Sequence, residues 1–110
     1  MAIPNWQTYK LRVGRHQAWM TLQTISLHQD LWLAQHGTYF SNLSRAGLSA
    51  EDAGYRYQVE LTDTGYWIIA MLRADGSQAA DLACRQLSLS HDGIRQINDT
   101  TIAAASQSCD

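Results

Sequence analysis

Long apolar runs are missing from this 110-residue chain. The longest, Tyr66-Trp67-Ile68-Ile69-Ala70-Met71-Leu72, falls far short of the roughly 18 residues a membrane-spanning helix needs. No stretch has the basic, apolar and small-residue succession of a cleaved signal peptide. Charge is sparse as well. Charged residues make up 16% of the chain, the net charge is −2 and the pI is near 6.0, which excludes a general attraction to nucleic acid or anionic lipid. The few charges are unevenly placed: residues 1–16 hold Lys10, Arg12 and Arg15 without an acid, while the remainder carries five bases against ten acids. These three bases read as a solvated helix flank, with lipid headgroups or a neighbouring subunit as the alternative contact.

Cysteine is limited to Cys84 and Cys109, with no His or Cys neighbour at metal-ligand spacing, so the pair does not read as a zinc site. A disulfide fits better and would contribute about 3 to 4 kcal/mol in the chain-entropy model. Two buried free thiols are the alternative. Catalytic constellations are missing too. His16, His28, His36 and His91 are scattered, and Asp75, Asp81 and Asp92 fall at turns or strand edges where carboxylates serve local N–H groups. The expectation is therefore no enzyme, no metal, no cofactor and no small-molecule substrate. Two sequons, at Asn42 and Asn98, are patterns common by chance.

What is present begins with one helix over residues 1–39, from Ala2-Ile3-Pro4 to Gly37-Thr38-Tyr39. The lone proline, Pro4, suits a first turn, and Gly37 supplies a left-handed cap. Leu11, Ala18, Leu22, Ile25 and Trp32 fall in a narrow arc at 100° per residue, as expected of a face packed on a sheet. Tyr9, Val13, Met20, Leu27 and Leu31 form a second row nearly opposite, more apolar surface than a small domain needs. Gly14 interrupts the pattern at a cost of about 1 kcal/mol relative to alanine.

Residues 40–54 are short and polar, a connecting loop pinned by Leu43 and Leu48. Tyr55, Tyr57, Val59 and Leu61 alternate with polar residues as a half-wet strand, and Tyr66–Leu72 follows as a more deeply buried middle strand. A third strand takes in Leu82, Cys84, Leu87 and Leu89. Its alternation slips after Cys84, which means a bulge or a later start. His91-Asp92-Gly93 turns the chain into a short fourth strand at residues 94–97. The expected fold is α+β: a roll with one long helix on a three- to four-stranded antiparallel sheet over residues 55–97.

The order Ala2-Ile3-Pro4, Trp6, Tyr9, then Gln29-Asp30-Leu31-Trp32-Leu33-Ala34-Gln35-His36-Gly37-Thr38-Tyr39 resembles a type IV pilin. Gly76-Ser77-Gln78-Ala79-Ala80-Asp81, Cys84 and Leu87-Ser88-Leu89-Ser90-His91-Asp92-Gly93-Ile94 resemble the corresponding segment of PilE-type minor pilins. The resemblance implies one pilin domain over residues 1–110, with residues 1–39 the second half of the pilin helix, and a disulfide loop closed by Cys84 and Cys109. It implies a structural minor pilin whose partners are major and minor pilins and the assembly machinery, with Tyr9, Val13, Met20, Leu27 and Leu31 facing the fibre core. It also implies a parent chain with a leader, a methylated mature N-terminus and an apolar half-helix anchored in the bacterial inner membrane. The subunit would lie on the periplasmic side before joining the extracellular fibre, whose roles include adhesion and twitching motility. Arg85 and the lack of an aromatic near Cys109 depart from the family pattern. Nucleic acid is not an expected partner. The alternatives are a DNA-receptor minor pilin, with Arg73, Arg85 and Arg95 as contacts, and a type II secretion pseudopilin.

Overall fold

The computed structural model describes residues 6–98, 100–101 and 109. The expected first turn at Pro4 lies outside them. Helix α1 spans Trp6–His36 and ends where Gly37, at φ +79°, donates its N–H to the Leu33 carbonyl at 2.8 Å. It therefore stops at the glycine cap expected from the sequence, inside the span of residues 1–39. A glycine meets the left-handed geometry at no steric cost.

Four antiparallel pairings follow in chain order. β1 (Tyr55–Leu61), β2 (Tyr66–Leu72), β3 (Gln86–Ser90), β4 (Arg95–Ile97) and β5 (Thr100–Thr101) form a simple meander in the order β1-β2-β3-β4-β5. Register sets the faces: Val59, Ile68 and Leu89 stand in one row, and Tyr57, Ala70, Leu87 and Ile97 in the next. All of these are buried, and they meet Ala18, Trp19, Leu22 and Ile25 of the helix.

Three features differ from the sequence-based expectation. The third strand begins later, at Gln86, because Leu82–Cys84 forms a turn of 3-10 helix that leaves Leu82 exposed and Cys84 buried. The sheet gains a fifth strand, since Asn98 adopts φ +52° and reverses the chain where only a tail was expected. Leu61, read as an inward strand residue, is half exposed at the edge of the turn.

The core also holds residues that apolar patterning omits. Trp19 is buried, and its indole N–H donates to the Cys109 carbonyl at 3.0 Å. Gln29 is fully buried and makes two bonds to one residue: its amide donates to the Phe40 carbonyl at 2.8 Å and accepts from the Phe40 N–H at 2.9 Å. This clamp folds the loop after Gly37 back onto the helix, bringing Phe40 and Leu43 into the core. Gln29→Leu strands both backbone groups of Phe40 and should cost about 2 to 4 kcal/mol in urea unfolding. A loss below about 1 kcal/mol would show that water replaces the side chain.

Candidate assembly and nucleic-acid surfaces

Sheet burial divides the helix lengthwise. Ala18, Leu22 and Ile25 are buried, Leu11 and Trp32 are half-buried, and the second row stays in solvent. Tyr9, Val13, Met20, Leu27 and Leu31 are all exposed, from 37% at Val13 to 66% at Met20. Over 22 residues at a rise of 1.5 Å, this row runs for about 33 Å.

A polar seam fastens the helix to the head. Gln78 is buried and donates to the Leu11 carbonyl at 3.0 Å, its carboxamide lying where a side chain at Gly14 would be. Gly14 is therefore a site of close approach. One turn on, Arg15 meets Asp81 at 2.9 Å, both side chains more than nine-tenths buried. Arg15 is accordingly neither a solvated flank residue nor available to lipid, which corrects the reading from the sequence. Asp52 accepts from the Tyr57 hydroxyl at 2.6 Å and from the backbone N–H groups of Gly54 and Tyr55. Burial pushes the Tyr55 phenol up to about 12 and raises that of Tyr57, so both stay protonated, Tyr57 donating to Asp52 and Tyr55 accepting from the Gln78 amide at 3.5 Å.

Burial likewise raises the Asp81 carboxyl above 3.8, and the Arg15 charge beside it offsets only part of that shift. The folded state then holds its proton more tightly than the unfolded chain does. The site's contribution is fully present below the ordinary aspartate value and declines as pH rises through the raised one. Asp81→Asn should flatten stability against pH from the ordinary aspartate range upward relative to wild type. Arg15→Met should cost about 3 kcal/mol at neutral pH and less in acid, where Asp81 protonates. Parallel pH profiles for wild type and Asp81→Asn would refute this account.

The three arginines singled out as nucleic-acid contacts do not form one cluster. Arg73 and Arg85 neighbour each other at one end of the sheet, where the Leu72 N–H donates to the Arg85 carbonyl at 3.0 Å. The Arg73 guanidinium donates to the Asp52 carbonyl at 2.7 Å and lies 3.5 Å from Asp75. Arg95 pairs with Leu89 near the opposite end and lies over the Trp19 ring at 4.8 Å.

A different juxtaposition appears where the helix ends. Trp32, His36, Tyr39, Asn42 and Arg45 line an open depression of about 530 Å³. The Trp32 and His36 rings are stacked at 3.9 Å, and Phe40 meets Trp32 edge-on at 5.7 Å. Arg45 is exposed and makes no ion pair with a described residue. The i, i+4 spacing of Trp32 and His36, with a base soon after the helix stop, is the sequence signal for this feature.

Cys84 and Cys109 are joined as a disulfide with a Cα–Cα distance of 5.7 Å, both residues buried. Among the described residues, no His, Cys, Asp or Glu group could hold a metal, and no helix is long and apolar enough to cross a membrane. A family described as type IV minor pilin ComP, DNA uptake sequence receptor, matches the chain over residues 4–88. No curated protein matches it.

Proposed function

We propose, for a chain that belongs to the type IV minor pilin family, that its exposed helix row docks on the helices of neighbouring pilins in a fibre. The family is structural rather than enzymatic. Its members belong to the pilus outside the cell or to the membrane-associated pool that supplies it. The observation that carries the proposal is the row of five apolar residues from Tyr9 to Leu31, which the sheet leaves in solvent. Apolar area contributes about 25 cal/mol per Å² before the cost of association, so burying this row supplies docking energy. In the parent chain an apolar half-helix ahead of Ala2 would hold the subunit at the inner membrane, with its head periplasmic until assembly. Leu27→Asp with Leu31→Asp should leave the melting temperature of the domain unchanged and remove the subunit from pili sheared off the cell. Wild-type incorporation of that variant, measured by mass spectrometry, would refute the docking role.

The family description names a DNA uptake sequence receptor, which is at odds with the expectation that nucleic acid is no partner. A DNA-receptor role is compatible with being a fibre subunit. The depression at the helix end favours this second reading: Trp32 and Tyr39 offer aromatic rings, Asn42 the N–H side of its amide for base edges, and Arg45 a cationic group for phosphate. Arg73 and Arg95 already have partners within the chain. In gel-shift titrations Arg45→Ala should reduce the salt slope by about 1 and Trp32→Ala should weaken binding about tenfold. Arg73→Ala should change little. No binding by the wild-type chain at low salt would remove the receptor reading and leave the fibre role intact.

A further inference from the structure

In the first two turns of the helix the exposed row gains a further aromatic, Trp6, and flanking cations that fibre packing does not account for. Trp6 and Tyr9 are exposed at 52% and 55%, and their rings are stacked at 5.9 Å. Val13 continues the same face, also exposed. At 100° per residue, Lys10 falls on one flank of this face and Arg12 on the other, both exposed. The Lys10 ammonium lies 6.0 Å from the centre of the Trp6 ring. No carboxylate precedes Asp30 in the chain, and the one other early base, Arg15, is paired internally with Asp81. Gln78 of the head donates to the helix at the Leu11 carbonyl. Asp75, on the adjoining head loop, is answered by Arg73.

An aromatic face between two cations, with no acid beside it, is suited to a bilayer surface. Indole and phenol rings settle at the headgroup level, where each offers an apolar body and a polar edge, and lysine and arginine reach anionic phosphates. A helix-packing seam has no use for the flanking cations. We propose that Trp6, Tyr9, Lys10, Arg12 and Val13 form an interfacial collar that binds anionic phospholipid surface. If the chain acts as a pilin, this contact belongs to the subunit before it enters a fibre, and it orients the head above the membrane. The collar needs only the residues present in this chain, so its test is independent of fibre incorporation.

The probe is co-sedimentation of the 110-residue chain with vesicles. One set is pure phosphatidylcholine, and the other holds about one part in three phosphatidylglycerol. The chain should bind the anionic set alone and lose binding as salt rises. Lys10→Gln with Arg12→Gln should weaken binding about tenfold, as should Trp6→Ser with Tyr9→Ser. Arg85→Gln, on the head, should leave it unchanged. All these side chains are exposed, so unfolding midpoints equal to wild type are expected and confirm that the variants fold. Failure of the wild-type chain to bind at low salt would overturn the proposal, as would undiminished binding by either double variant. Dimerisation without lipid, abolished by the Trp6 and Tyr9 changes, would reassign the face to a second copy of the chain and also overturn it.

Discussion

A helix with apolar residues on two sides, joined to a sheet that can cover only one, is the constraint on which the rest of this structure depends. The antiparallel meander offers the helix a single face, and Ala18, Leu22 and Ile25 pack on it. A small domain has too few residues to wrap a helix completely. The opposite row is then left wet by geometry, and Met20 at 66% exposure records how completely the head ignores it. Folding is thus satisfied with half the helix, and the other half is free for association.

That division works only if the helix is held in rotation as well as in position. Apolar packing alone tolerates sliding and turning, because its energy follows area rather than direction. The directional contacts lie along the seam. Gln78 fills the notch at Gly14 and bonds the Leu11 carbonyl, Arg15 faces Asp81, and Gln29 clamps Phe40 at the far end. Each is buried and chemically specific, so a rotated helix would leave several polar groups unpaired at once. The ion pair adds orientation more than stability, since the cost of burying Asp81 outweighs what Arg15 returns to it.

The same distinction explains which parts of the molecule were legible in the sequence. The two helix rows, the period of β1 and the continuous run of β2 are expressions of apolar spacing, and spacing is what a sequence displays directly. Gly37 was legible because one residue type dominates its conformation. The seam was not. Nothing in the spacing of Arg15 distinguishes it from Lys10 and Arg12, and only a carboxylate 66 positions away takes it out of solvent. Trp19 and Gln29 were hidden for a similar reason, their partners being backbone groups of Cys109 and Phe40. The slip of alternation at Cys84 was visible, but the sequence left a bulge and a later strand equally open. The structure resolves it as a 3-10 turn that carries Cys84 inward toward Cys109.

Charge follows the same logic at the candidate surfaces. Arg73, Arg85 and Arg95 looked equivalent as cations on one sheet, yet the meander separates them by end and the seam engages two of them. Arg73 braces the Asp52 carbonyl, and Arg95 lies against the Trp19 ring that anchors the disulfide end of the chain. A cation so employed must give up a partner before it can take a phosphate, which reduces what it adds to binding. Arg45 carries no such debt to another described side chain, and it stands beside aromatic rings already ordered by their mutual packing. Preorganised apolar faces next to an available cation lower the entropy cost of ligand capture. The position of a base within the fold therefore ranks candidate contacts better than the number of bases in the sequence.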